Sequence, residues 1–133
     1  MNESLNSLLG LNKSMEIVSD ESLVWDEDDE LSHLHLVSTS GLLKEIIYVT
    51  GMFLNQYLEE ESISVVIYSD ISHLKPVVVG ERLVVGVRVV QVENNIVTFK
   101  AIIMKESVKI AEATVKRAVV SKNYLRRKAL EQM

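Results

Sequence analysis

His73 ends a run in which Ile63, Val65, Ile67, Ser69 and Ile71 alternate with their neighbours, and Leu74-Lys75-Pro76 follows directly. A two-residue period is that of a strand with one buried face, so this register points the histidine inward at a strand end, half sheltered from water. Imidazole exchanges a proton near neutral pH, which suits it to general acid or base work. The same position equally suits a hydrogen-bonded structural histidine. Arg117 is the second anomaly: it shares alternate positions with Ala111, Ala113, Val115 and Val119, while Glu112, Thr114 and Lys116 fall between them. A guanidinium in an inward register needs partners. These are either a protein carboxylate or carbonyl, or a phosphate or thioester carbonyl of a ligand.

Other chemistries find less support. His33 and His35 flank Leu34, yet no carboxylate or third histidine stands at a zinc-binding spacing. The run Asp26-Glu27-Asp28-Asp29-Glu30 lacks the spaced ligands and glycine of a calcium loop and reads as a solvated segment. There is no glycine-rich phosphate loop, no G-x-S-x-G elbow and no HExxH pair. With no cysteine in the chain, any nucleophile is oxygen or nitrogen. No metal and no cofactor are therefore expected. A net charge of -5 repels a phosphate backbone, so nucleic acid is not an expected partner. The basic run Arg126-Arg127-Lys128 is expected to complement the C-terminal end of a helix.

The elements that position these residues follow from length and pattern. The chain has 133 residues, 47% of them hydrophobic and 25% charged, which fits one globular domain over residues 1–133. No apolar run reaches the roughly 20 residues of a membrane helix, because Gly86 and Arg88 interrupt the longest, so no membrane partner is expected. Met1-Asn2-Glu3-Ser4 shows no secretory signal, and a cytoplasmic location is the expectation. Leu5, Leu8, Leu9 and Leu11 predict a lead-in helix over residues 1–12, and residues 13–18 a short strand.

From residue 39 to about 58 the period is helical. Leu43, Ile47, Thr50, Leu54 and Leu58 share one side, with Leu42, Ile46, Phe53 and Tyr57 beside them, leaving only a narrow polar stripe. Such a helix needs to be enclosed. Ser38, Thr39 and Ser40 offer its capping hydroxyl, and Gly51 in mid-helix suggests a close approach there. Strands are then predicted from residue 63 to 73, 82 to 92, 96 to 105 and 108 to 121, with turns at Asn94-Asn95 and Glu106-Ser107, and a C-terminal helix over 122–133. Tight connections make neighbouring strands antiparallel. The expected fold class is α+β: a meander curled around one long helix, with an open edge that a second copy would cover.

Three segments carry a resemblance to a known family. Ser72-His73-Leu74-Lys75-Pro76-Val77-Val78-Val79-Gly80-Glu81-Arg82-Leu83 resembles the segment of hotdog-fold thioesterases in which an H-L-x-P-T-x-x-G-like run precedes a strand. Val37-Ser38-Thr39-Ser40-Gly41-Leu42 resembles the threonine-bearing helix start of the fluoroacetyl-CoA-thioesterase-like branch, and Lys116-Arg117-Ala118-Val119-Val120 its last-strand R-x-V-V pattern. Together they extend the similarity over roughly residues 13 to 125.

The resemblance implies a hotdog fold, a homodimer or larger assembly with acyl-CoA bound between subunits, and hydrolysis of an acyl-CoA thioester. It implies catalytic roles for Thr39 and His73, and a site-shaping or substrate-binding role for Arg117. The branch carries an acidic residue eight positions after the threonine, where this chain has Ile47. Glu45 is no replacement, since two residues turn about 200° around a helix. Two functions follow: a thioesterase in which His73 activates water, or a non-catalytic acyl-CoA-binding hotdog module whose apolar Ile47 lines the substrate site.

Overall fold

The structure, a computed structural model, describes residues 2–132; Met1 and Met133, at the far ends of the two expected terminal helices, lie outside the described residues. The chain opens with a 3-10 helix, Asn2–Leu8. At three residues per turn Leu5 and Leu8 stack on one side, and both are buried, whereas Leu9 and Leu11 are exposed. The expected four-leucine stripe is thus a two-leucine one.

Helix α1 spans Thr39–Asn55. Its buried Leu42, Ile46, Val49 and Phe53 recur every three or four residues, the spacing of one helical face. Leu43, Ile47 and Met52 are only partly buried. The helix stops short of residue 58 because its end tightens into three-residue bonds, Tyr57 N–H to Leu54 O and Leu58 N–H to Asn55 O.

Five strands, β1 (Asn12–Val18), β2 (Ser62–His73), β3 (Arg82–Glu93), β4 (Ile96–Lys105) and β5 (Val108–Ser121), form one antiparallel sheet. Left-handed backbone at Asn94 (φ 56) and Glu106 (φ 54) closes the two hairpins β3–β4 and β4–β5. The strand order is β1-β3-β4-β5-β2, which corrects the expected meander. Only β3, β4 and β5 follow in sequence; residues 74–81 carry the chain across, so β2 pairs with β5 and lies at one edge. Helix α1 packs against β2, β3 and β5. The core comprises its buried face and the inward residues of the sheet, with Phe53 set edge-on to Phe99 at 5.9 Å.

The face of β2 also differs from the expectation. Its pairing with β5 slips between Val66 and Tyr68, leaving Ile67 as an extra residue in a bulge. Val66 pairs with Arg117, and Ile71 and His73 pair with the buried Ala113 and Ala111. Ser64, Val66, Ile71 and His73 therefore share the inner face. Ile63 and Val65, before the bulge, lie on the other, and Ile67 is 52% exposed.

Helix α2, Lys122–Glu131, closes the chain. Only Lys128 of the basic run lies in its last turn. Arg126 instead donates to Asn123 Oδ1, so the run does not act as a whole on the helix end. Among the described residues no helix is long and apolar enough to cross a membrane.

Candidate active site

The start of α1 and the end of β2 meet at Thr39 and His73. Ser38, not Thr39, is the helix cap: its extended backbone turns its hydroxyl to accept from Gly41 N–H at 2.9 Å. That leaves the Thr39 hydroxyl available, and its Oγ1 is hydrogen-bonded to His73 Nδ1 at 2.8 Å. The bond crosses 34 residues of sequence and holds the imidazole in place through one ring nitrogen. The other nitrogen, Nε2, is buried and has no hydrogen-bond partner, the one such side-chain atom found among the described residues. An unmet buried polar atom is costly and marks a place where a ligand or water is to be received.

Thr39 and His73 line a cleft of about 260 Å³ whose other walls are Trp25, Leu31, Leu34, Leu36, Val37 and Pro76. The segment between β1 and α1 builds most of it. Backbone bonds from Trp25 N–H to Leu36 O (2.7 Å), Ser38 N–H to Leu23 O and Val37 N–H to Val77 O fasten this segment at its base. The acidic residues at positions 26–30 lie exposed beyond that base, as a solvated run should.

Arg117 and Ile47 meet elsewhere. The guanidinium is buried at 7% exposure and donates four hydrogen bonds. Nε donates to Thr50 Oγ1 (3.0 Å), Nη1 to Ser64 Oγ (3.1 Å) and Ser64 O (3.4 Å), and Nη2 to Ile47 O (2.7 Å). The Thr50 hydroxyl in turn donates to Ile47 O at 2.8 Å. None of the ion pairs among the described residues includes Arg117. Its partners are all neutral, and burial pushes its pKa below the ordinary arginine value. Guanidinium stays protonated even so. This second cleft, about 420 Å³, is lined by Ile47, Tyr48, Gly51, Met52, Asn55, Ile63, Ser64 and Arg117.

The four sequence candidates thus form two pairs, Thr39 with His73 and Ile47 with Arg117. No carboxylate lines the first cleft. His33 and His35 are exposed, with His35 Nδ1 3.4 Å from Glu21 Oε1, and no group of three possible metal ligands occurs among the described residues. Sequence reasoning missed the apolar wall, since residues 24–36 have no regular period. The available signal was the chain's single tryptophan and three leucines set around an acidic run, apolar residues that a merely solvated loop does not need.

An antiparallel sheet curved over one long helix, with a polar pair at the helix start, is the hotdog architecture, and the solved structures agree. A hot-dog-like protein from Thermanaerovibrio acidaminovorans superposes with a TM-score of 0.89 at 24% identity, over 97% of this chain and 96% of that one. The fluoroacetyl-CoA-specific thioesterase FlK gives 0.81 at 15% identity, over 94% and 96%; FlK structures include complexes with fluoroacetate and CoA and with acetyl-CoA. TTHA0967 of Thermus thermophilus, a thioesterase superfamily member, gives 0.80 at 18% identity over 93% of each chain. No curated protein matches. The family model of the fluoroacetyl-CoA-specific thioesterase FlK matches residues 18–123, and the chain belongs to that family.

Proposed function

We propose that the chain hydrolyses acyl-CoA thioesters, with His73 as the base. The observation that carries this reading is the Thr39–His73 pair, whose imidazole keeps one buried nitrogen unmet beside an apolar cleft. With Nδ1–H donating to Thr39 Oγ1, the Nε2 lone pair takes a proton from water as its oxygen attacks the thioester carbonyl. The amides at the start of α1 stabilise the resulting oxyanion. The tetrahedral intermediate then collapses by breaking the carbon–sulfur bond, and the imidazolium returns its proton to the departing CoA thiolate. The complexes of FlK with CoA and acetyl-CoA support acyl-CoA as the ligand class. The exposed β2 edge, with Ile67 and Tyr68 uncovered, supports a homodimer with acyl-CoA between subunits, in which Ile47 and Arg117 line the substrate path.

Hydrolysis measured across short, aromatic and long acyl-CoAs tests the reading. His73→Ala is expected to lower the rate by about 100-fold or more, and Thr39→Val by less, since it removes one hydrogen bond. Unchanged hydrolysis in His73→Ala refutes the mechanism.

A second reading, an acyl-CoA-binding module without turnover, is favoured by Ile47. The family's acidic position is here an apolar side chain packed against the core. A wild type that binds acyl-CoA and hydrolyses none of the panel establishes it.

A further inference from the structure

The cleft beside Thr39 and His73 is polar at those two residues only; its other six lining residues are apolar. Leu31 and Leu34 lie on or next to the short 3-10 helix Ser32–Leu34, and each is 46% exposed. They are leucines that the protein's own core does not bury. Trp25 is held in orientation by its indole N–H, which donates to Glu27 Oε2 at 3.0 Å. Leu36 is fixed from behind by its bridge to Val78. This is a preformed apolar wall ending at a hydrogen-bonded imidazole, the arrangement of a pocket that takes a hydrophobic tail and presents its polar head to a reactive group.

We infer that this cleft selects thioesters with uncharged, apolar acyl chains well longer than acetyl, of the hexanoyl class. The inference rests on the proposed thioesterase reading and names its substrate class. Size excludes the shortest chains as the best fit: a space of about 260 Å³ walled by six apolar side chains is far larger than a two-carbon acyl group fills. Charge sets the character of the tail. No cation lines the cleft, and the carboxylates of Asp26, Glu27, Asp28, Asp29 and Glu30 lie between Trp25 and Leu31 in the chain, so a tail ending in a carboxylate is repelled.

Non-hydrolysable thioethers test this without turnover. Isothermal calorimetry of the wild type with S-ethyl-CoA, S-hexyl-CoA and S-(5-carboxypentyl)-CoA is expected to show the hexyl compound at least 10-fold tighter than either of the others. A fully buried methylene is worth about fourfold in affinity, and the cleft covers the chain only in part. Leu34→Trp, at an exposed position, fills the cleft from its rim and is expected to erase the preference for hexyl over ethyl while leaving the melting temperature unchanged. Equal binding of hexyl and ethyl by the wild type, or an intact preference in folded Leu34→Trp, overturns the inference. Selective binding of the hexyl compound by a protein that hydrolyses no thioester upholds it and sinks the hydrolase reading. Equal kcat/KM for acetyl-CoA and hexanoyl-CoA does the reverse.

Discussion

Residue 51 carries no side chain at the point where Arg117 passes it: a Cβ added to Gly51 would stand 2.7 Å from Arg117 Nη2 and 3.1 Å from Cζ. Glycine in a helix interior ordinarily costs about 1 kcal/mol relative to alanine. Here alanine would displace a buried guanidinium from four hydrogen bonds. Gly51→Ala is therefore expected to destabilise the protein by about 1–2 kcal/mol, whereas in an Arg117→Met background it should stabilise it by up to about 1 kcal/mol. Urea unfolding of the four proteins measures the cycle. Stabilisation by Gly51→Ala alone would mean that the guanidinium moves aside at no cost.

Neighbours on β5 should respond very differently to loss of charge. Arg117→Ala removes the guanidinium donors from Thr50 Oγ1 and the Ser64 oxygens and one of two side-chain donors from Ile47 O, and a loss of about 2 kcal/mol or more is expected. Lys116, on the outer face with its ammonium 5.6 Å from the Tyr68 ring centre, should cost under about 1 kcal/mol on replacement by alanine. Equal, small effects on the denaturation midpoint would contradict the assigned register.

Ile47→Glu restores the acid that the family carries. The new carboxylate would line the cleft of Arg117, a cation with no carboxylate partner, which offsets the usual penalty of a buried acid. The variant is expected to fold and to raise kcat/KM for thioester hydrolysis by about 10-fold or more. If it folds yet stays inactive, and the wild type is inactive as well, the binding-module reading replaces the hydrolase.

Tyr68 should titrate late. Its hydroxyl donates to Asp70 Oδ2 at 2.9 Å, and that bond, reinforced by the negative charge, raises its pKa above the ordinary tyrosine value. A raised folded pKa stabilises the fold below the unfolded value, and the contribution is lost as pH rises through the folded one. Ultraviolet difference titration of wild type and Asp70→Asn is expected to move the Tyr68 transition to lower pH in the variant. Coincident curves would show that the bond does not persist in solution.

Assembly is tested by sedimentation. At micromolar concentration the protein is expected at twice its 15.0 kDa chain mass or above, since β2 leaves a strand edge uncovered. A boundary at the monomer mass alone would refute the homodimer.

The sequence announced the elements better than their arrangement. Strands β3, β4 and β5 fell within a residue of their expected ends because β-branched runs are broken by Asn94-Asn95 and Glu106-Ser107, residues that mark turns. Strict alternation likewise exposed the inward Arg117. Alternation failed at Val65-Val66-Ile67, where three successive apolar residues suit either face, so nothing local marks the extra one. The pairing of β2 with β5 is set by tertiary packing, which no two-residue period encodes. For the site, Thr39 and His73 were legible as residues. Their bond depended on Ser38 taking the cap, a choice among three neighbouring hydroxyls.

The bulge at Ile67 makes the inner face of β2 a matter of parity. Ser64 reaches Arg117 before it, and His73 reaches Thr39 after it. Ile67 is more than half exposed, so its side chain adds little to the packing within the subunit. Losing it through the in-frame deletion of one codon would remove the one residue that the pairing with β5 skips. Val66 opposite Arg117 and Tyr68 opposite Lys116 would become consecutive, alternation along β2 would be unbroken, and Ser64 and His73 would both stay on the inner face. Nine steps separate Ser64 from His73, an odd number, so the bulge exists to reconcile two inward side chains that an unbroken strand of this length would set on opposite faces.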